Sequence, residues 1–190
     1  MDVMTAILTR RSEHFLTDPA PSDDELTYLL RGAAAAPDHG MLKPWRWILL
    51  RGADRAVLGT CLTDEHPGQA AGRWVADMLR APLLAVLVFA PQPNGKVPEW
   101  EQLAATSAMT HSLMLLLHAR GYGSVWRTDR LAESTAARAL LRISPTERLL
   151  GGLSMGTPDP DTKRPRWPLE DVSHRISVFR AGEPASVKHV

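Results

Sequence analysis

A chain of 190 residues is long enough for one domain with a substantial core and too short for two ordinary ones. With 22 Lys and Arg against 21 Asp and Glu, the formal net charge is +1, so nucleic acid is disfavoured as the principal partner while a small anionic ligand stays open. One cysteine, Cys61, excludes an internal disulfide; no apolar run reaches the length of a membrane span, and Met1-Asp2-Val3-Met4 lacks the features of a secretion signal, which predicts a soluble cytoplasmic protein.

The patterning predicts a short helix over Val3 to Thr9. A second helix follows, with Ser22 as its cap and Glu25 as the capping-box partner, running to about Ala35 and stopping before Pro37. Arg46 to Arg51 reads as a strand. Cys61, in Val57-Leu58-Gly59-Thr60-Cys61-Leu62, is expected to act as a small buried hydrophobe, not as a catalytic thiol. Gln69 to Arg80 is predicted helical, and the near-continuous apolar run from Pro82 to Ala90 reads as a central strand buried on both faces. A loop from Pro91 to Pro98 leads to the longest helix, about Trp100 to Arg120, whose Ala, Met and Leu residues cover most of its circumference and predict an enclosed element ended by Gly121.

Gly123 to Arg127 reads as a strand, Glu133 to Leu141 as a helix and Glu147 to Met155 as a strand. Strands and helices mix without strict alternation, which predicts an α+β layered domain and not a Rossmann fold. Residues 1–156 form the expected core. The Pro-rich residues 157–190 cannot bury a core of their own and are expected to form an extended C-terminal arm of the same domain, lying over another surface.

Arg10, Arg11 and Ser12 put two guanidinium groups and a hydroxyl within three residues at the end of the first helix, a grouping that suits a phosphate. Charge-assisted hydrogen bonds of this kind contribute roughly 1.5–3 kcal/mol each. A solvated helix end is the plainer alternative. Gly152-Leu153-Ser154-Met155-Gly156 fits the G-x-S-x-G elbow of serine hydrolases, but Thr157-Pro158-Asp159-Pro160 follows where that motif needs a helix. No metal is expected: there is no H-E-x-x-H and no Cys pair, and His111 and His118 stand two helical turns apart. There is no P-loop, and Gly121-Tyr122-Gly123 lacks the third glycine of a dinucleotide fingerprint.

Beside Arg10-Arg11-Ser12, four segments in register, Pro37-Asp38-His39, Pro44-Trp45-Arg46-Trp47-Ile48, Gly123-Ser124-Val125-Trp126-Arg127-Thr128, and Gly156-Thr157-Pro158 ahead of Lys163-Arg164-Pro165-Arg166-Trp167-Pro168-Leu169-Glu170-Asp171-Val172, resemble the nitroreductase-like family of FMN flavoproteins. The likeness runs to about Val172, and it is nearest the small bacterial NAD(P)H nitroreductases that carry Pro-Asp-His and Trp-Arg-Ser/Thr segments. The resemblance implies a three-layer fold with a mainly antiparallel central sheet flanked by helices. It implies bound FMN, with Arg10, Arg11 and Ser12 at the phosphate and ribityl oxygens and Arg164 and Arg166 closing on the same phosphate from the arm.

The resemblance places His14 where many relatives carry a Lys or Arg close to the flavin pyrimidine edge, at which negative charge accumulates on reduction, with an ordinary surface histidine as the alternative. Trp126, Arg127 and Thr128 match a segment beside the ring, with core packing as the alternative for Trp126. The loop at His39 is implied to reach the flavin of a partner subunit, hence a homodimer with shared sites onto which the arm packs; turn stabilisation is the alternative role for His39. Ala35, Met41 and Lys43 depart from the residues that relatives carry in this region.

The implied chemistry is a ping-pong reduction: NAD(P)H delivers hydride to flavin N5 and leaves, and a nitroaromatic, quinone or similar electron-poor small molecule takes its place. No catalytic side chain is required. A dedicated non-nitro substrate or a flavin-sequestering role remains the alternative, because fold and cofactor do not determine substrate.

Overall fold

The computed structural model describes residues 1–65, 72–93, 95–128, 130–161, 169–179, 181 and 186–187. Helix α1 (Val3–Thr9) is capped by Asp2, whose carboxylate accepts from the Thr5 amide at 3.0 Å. A two-residue strand β1 (Leu16–Thr17) precedes α2 (Asp23–Ala33). Ser22 caps α2 as its sequence predicts, accepting from the Glu25 amide at 3.2 Å. Glu25 turns its carboxylate across the fold instead, where Tyr122 donates to it at 2.7 Å.

Strand β2 (Trp45–Arg51) leads into α3 (Asp54–Glu65), a helix that the sequence patterning does not predict. Only Leu58, Gly59 and Leu62 of α3 are buried, too narrow a stripe to stand out. Helix α4 (Arg73–Leu79) starts later than predicted, and residues 69–71 of that prediction lie outside the described residues. Gly59 lets α3 and α4 touch backbone to backbone, since a Cβ there would lie 2.5 Å from the Val75 Cα. Cys61 is half-buried on α3, and burial followed by the nearby Glu65 and Asp64 charges push its thiol pKa up, in keeping with an unreactive role.

Strand β3 (Leu83–Phe89) is buried at every residue, and α5 (Glu99–Ala119) is the long enclosed helix, although Ala104 is exposed. Then come β4 (Gly123–Arg127), α6 (Thr135–Leu140) and β5 (Arg148–Pro158). Glu65 accepts from the Thr135 and Ala136 amides and so ties α3 to the start of α6. Beyond β5, a 3-10 turn at Ser173–Arg175 precedes β6 (Ser177–Val178), which pairs with β7 (Ser186–Val187), so the described part of the arm is not uniformly extended.

The sheet is antiparallel throughout its named ladders, with β1, β5, β3 and β2 in order and β4 also paired to β5. Strand alternation sends Leu83, Ala85 and Leu87 into a core shared with α2 and α5, and Leu84, Val86 and Val88 into one shared with α3 and α6. This double burial explains why β3 reads as an unbroken apolar run. The result is the predicted α+β architecture, a central sheet between two helical layers.

Candidate active site

Leaving α1, residues 10–15 run extended between two partners. Ser12 bridges Ser124 of β4 in parallel, the Glu13 amide donates to the Ser124 carbonyl at 3.1 Å, and the Asp159 amide donates to the Phe15 carbonyl at 3.2 Å. Extended backbone alternates its side chains, so Arg11 and buried Glu13 face one way while exposed Ser12 and His14 face the other. The predicted trio is thereby divided. Arg11 folds back onto α1, its Nη1 donating to the Leu8 and Arg10 carbonyls at 2.7 Å each, where a helix end leaves carbonyls unpaired.

Arg10 is half-buried, and its Nη1 is a buried donor without a hydrogen-bond partner among the described residues. Burial, and then the charge of Arg11, lower its pKa against the opposing pull of Glu13. A buried donor left unmade costs roughly 1–3 kcal/mol, more for a charged group. An anion at this position removes that cost. Arg10 and Arg11 line a cavity of about 720 Å³ together with Glu13, His118, Tyr122 and Leu169, a size within the ~300–1,000 Å³ range of small-molecule sites.

On the other side of the segment, His14 and Arg127 lie near each other. They line a pocket of only about 10 Å³ with Asp77, Arg80 and Ser154. Asp77 is 5% exposed and contacts Arg80 at 3.0 Å, Arg127 at 3.6 Å and Arg73 at 3.9 Å. Sequence reasoning missed Asp77 and Arg80, because charges three or four apart on a helix ordinarily mark a solvated face. Their one sequence signal is the Arg73-x-x-x-Asp77-x-x-Arg80 spacing itself.

Trp126 alternates to the opposite face of β4 from Arg127. It packs against the α2–α5 core, and its Nε1 donates to the Leu150 carbonyl at 2.9 Å. Its core-packing alternative is the one this geometry matches. Thr128 is exposed just past the strand, where Gly151 passes so closely that a Cβ would lie 2.9 Å from the Thr128 Cα.

His39 sits elsewhere, in a turn where Gly40, Met41 and Lys43 all have positive φ. For Met41 and Lys43 such backbone costs about 1–3 kcal/mol each and is characteristic of functional loops. Asp38 Oδ2 braces the turn by accepting from the Lys43 amide at 2.7 Å, and His39 Nδ1 meets Glu101 Oε2 at 2.7 Å. Glu101 and the cavity residue His118 are 17 residues apart on α5, about 26 Å along the helix. One chain therefore does not bring His39 to Arg10.

Arg164 and Arg166 lie outside the described residues. Both flanks of their segment are anchored at the N-terminal segment, Asp159 on Phe15 and Leu169 at the cavity of Arg10 and Arg11. Ser154 lies inside β5, paired with Leu84 and Val125, and not on a strand-to-helix turn, so the hydrolase alternative is corrected. Among the described residues no group of three or more His, Cys, Asp or Glu is placed to hold a metal ion, and no helix is long and apolar enough to cross a membrane.

Residues 7–157, from within α1 almost to the end of β5, match the model of the Nitroreductase family. The Escherichia coli protein named "Putative NAD(P)H nitroreductase YdjA" is 29% identical over 163 residues, covering 83% of this chain and 89% of that one. A crystal structure of a nitroreductase-like family protein from Bacillus cereus is similar with a TM-score of 0.81 and 25% identity, over 95% of this chain and 97% of that one. A mutant of the FMN and NADPH-dependent nitroreductase NfnB from Sphigopyxis sp. shares the fold, with a TM-score of 0.73 at 20% identity, over 96% and 100% of the two chains. Matched over most of its length and built on the same antiparallel sheet between helical layers, the chain belongs to the nitroreductase family.

Proposed function

We propose that this protein is an FMN-dependent oxidoreductase that passes hydride from NAD(P)H to nitroaromatic, quinone or similar electron-poor small molecules. The observation that carries the reading is Arg10, a residue that lines a cavity of about 720 Å³ and whose buried Nη1 has no hydrogen-bond partner among the described residues, a setting that suits an anion such as the FMN phosphate. When bound, FMN supplies the centre that accepts and returns hydride; the FMN and NADPH dependence named for NfnB supports the choice of cofactor and donor.

The chain's own residues bind and orient. Arg10 takes the phosphate with Ser12, and Arg164 and Arg166 close on it from the arm. Arg164 is five residues beyond the Asp159 anchor, at most about 17 Å of extended chain, and Arg10 is five residues before Phe15. His14 and Arg127 take the ring edge, and Arg11 supports the segment by holding the end of α1.

The protein acts as a homodimer in this proposal. Val3 (73% exposed), Met4 (64%) and Ile7 (47%) on α1 and Phe179 (85%) on the arm leave apolar surface of the kind that marks an interface. Two copies packed with their α5 helices antiparallel offset the 26 Å gap and bring the partner's His39 turn to the end of α5 that carries the Arg10 cavity.

The deciding experiment is to purify the protein, record its visible spectrum, and release and identify any chromophore. Replacing Arg10 and Arg166 with alanine is expected to strip the flavin while leaving circular dichroism unchanged. A colourless wild-type protein that takes up no added FMN would refute the reading, and a double variant retaining stoichiometric FMN would refute the phosphate assignment.

A further inference from the structure

We propose that His118 is a positioning residue for the anion site: its Nε2–H donates to the Thr9 hydroxyl, and this latch between α5 and the end of α1 holds Arg10 at its cavity. The inference rests on the FMN reading above and adds to it the residue that fixes the phosphate ligand in place. His118 Nε2 lies 2.8 Å from Thr9 Oγ1, and both residues line the cavity of about 720 Å³ together with Arg10. The surroundings assign the proton in this bond. Thr9 Oγ1 also stands 2.6 Å from the Thr5 carbonyl oxygen, which only accepts, so the single hydroxyl proton of Thr9 is committed there. Thr9 therefore accepts its other bond from His118, whose proton sits on Nε2.

Helix α1 has little else to hold it. Ala6 is its one buried residue, and among the described residues the bond to His118 is the one hydrogen bond that α1 makes to another helix or strand. Helix α5 is a fixed reference by comparison, with Leu113 and Leu117 fully buried. Arg10 follows Thr9 directly as the residue that closes α1, its amide donating to the Ala6 carbonyl at 3.0 Å. Two residues on, Ser12 bridges Ser124, and the Glu13 amide donates to the Ser124 carbonyl at 3.1 Å. Arg10 thus stands between an anchor to α5 and an anchor to β4. A buried donor without a partner gains by turning out to water, yet the Arg10 side chain stays half-buried. The two anchors oppose that turn, and with the Thr9 anchor gone the end of α1 frays and the guanidinium leaves the cavity.

The test measures the affinity of the full-length chain, freed of flavin, for FMN and for riboflavin, which lacks the phosphate. The proteins compared are wild type, His118→Leu, His118→Gln, Thr9→Val and the double variant His118→Leu with Thr9→Val. His118→Leu is expected to weaken FMN binding about fivefold, the size of one ordinary net hydrogen bond, and riboflavin binding by less than about twofold. His118→Gln, whose side-chain amide keeps an N–H donor, recovers most of the FMN affinity. Thr9→Val matches His118→Leu, and the double variant binds no more weakly than either single one, because all three break the same latch. Heteronuclear NMR of the imidazole nitrogens in unliganded wild type finds the His118 proton on Nε2.

Equal weakening of FMN and riboflavin marks a merely structural contact, and that result overturns the inference. So does a double variant whose losses add, or a neutral His118 that carries its proton on Nδ1. Wild-type protein that binds no FMN sinks the functional reading together with this one, whereas normal FMN uptake that the variants leave unchanged sinks this inference alone.

Discussion

Replacing Gly151 with alanine tests whether the chemistry-bearing end of β4 is held by a backbone approach that no side chain tolerates. Gly151 has φ +100, in a stretch where the β3–β5 register shifts. A Cβ there would lie 2.9 Å from the Arg127 carbonyl carbon and closer still to its oxygen. Left-handed backbone costs an L-residue about 1–2 kcal/mol, and overpacking against backbone adds about 1–3 kcal/mol. The stiffer unfolded chain returns about 0.4–1 kcal/mol. The net loss is about 2–4 kcal/mol, or a melting temperature lower by roughly 5–15 °C for a chain of this size.

Thermal unfolding followed by circular dichroism measures this, with Gly52→Ala as the control. Gly52 also has positive φ, +50, but nothing lies within 4 Å of its would-be Cβ, so its alanine variant carries only the backbone cost, about 1 kcal/mol or less. Because the clash in Gly151→Ala falls on Arg127, flavin affinity falls as well. If both variants melt alike, the close approach of β5 to Arg127 does not restrain the fold as described.

Three other outcomes follow from particular contacts. Glu147 accepts a two-pronged hydrogen bond from Arg46 and one from the Ser144 amide, which hold its carboxylate pKa down at about 2 against 4.5 ordinarily. A lowered carboxylate pKa contributes stability above the unfolded value and loses it as pH falls toward the folded one. Glu147→Gln should therefore cost about 1–2 kcal/mol at neutral pH, discounted for the 39% exposure of Arg46. The gap should close near about pH 2.5 in paired denaturation curves; a gap constant with pH contradicts the linkage. Cys61, with its thiol pKa pushed up by burial and acidic neighbours, should react with a thiol reagent at least about tenfold more slowly at neutral pH in the folded protein than in urea; equal rates contradict its placement. Sedimentation velocity should find a particle of twice the chain mass, and a monomer at micromolar concentration would remove the shared-site proposal.

The elements legible in the sequence are those whose causes are local. Ser22 caps α2 because its partner amide is three residues away, β3 is unbroken apolar because it is covered on both faces, and α5 advertises itself by length and by an apolar circumference. Helix α3 escaped because its buried stripe is only Leu58, Gly59 and Leu62, and its necessity comes from α4 and α6 packing on it. The candidate site divides in the same way. Arg10 and Arg127 stand out as residue types in a suggestive order. The arrangement that separates Arg11 from Ser12 and Trp126 from Arg127 follows from strand alternation once the Ser12–Ser124 bridge and the β4–β5 register are set.

Capping residues, apolar runs and basic clusters act over a few positions, so the amino-acid order by itself determined the helices other than α3, the buried strand and the family to which the chain belongs. Only the tertiary structure decided that Asp77 is buried and pairs with Arg127, 50 residues further along, and that Arg10 keeps a buried donor without a partner among the described residues. Burial is a property of what packs on a residue, and for these two the packing comes from segments distant in sequence.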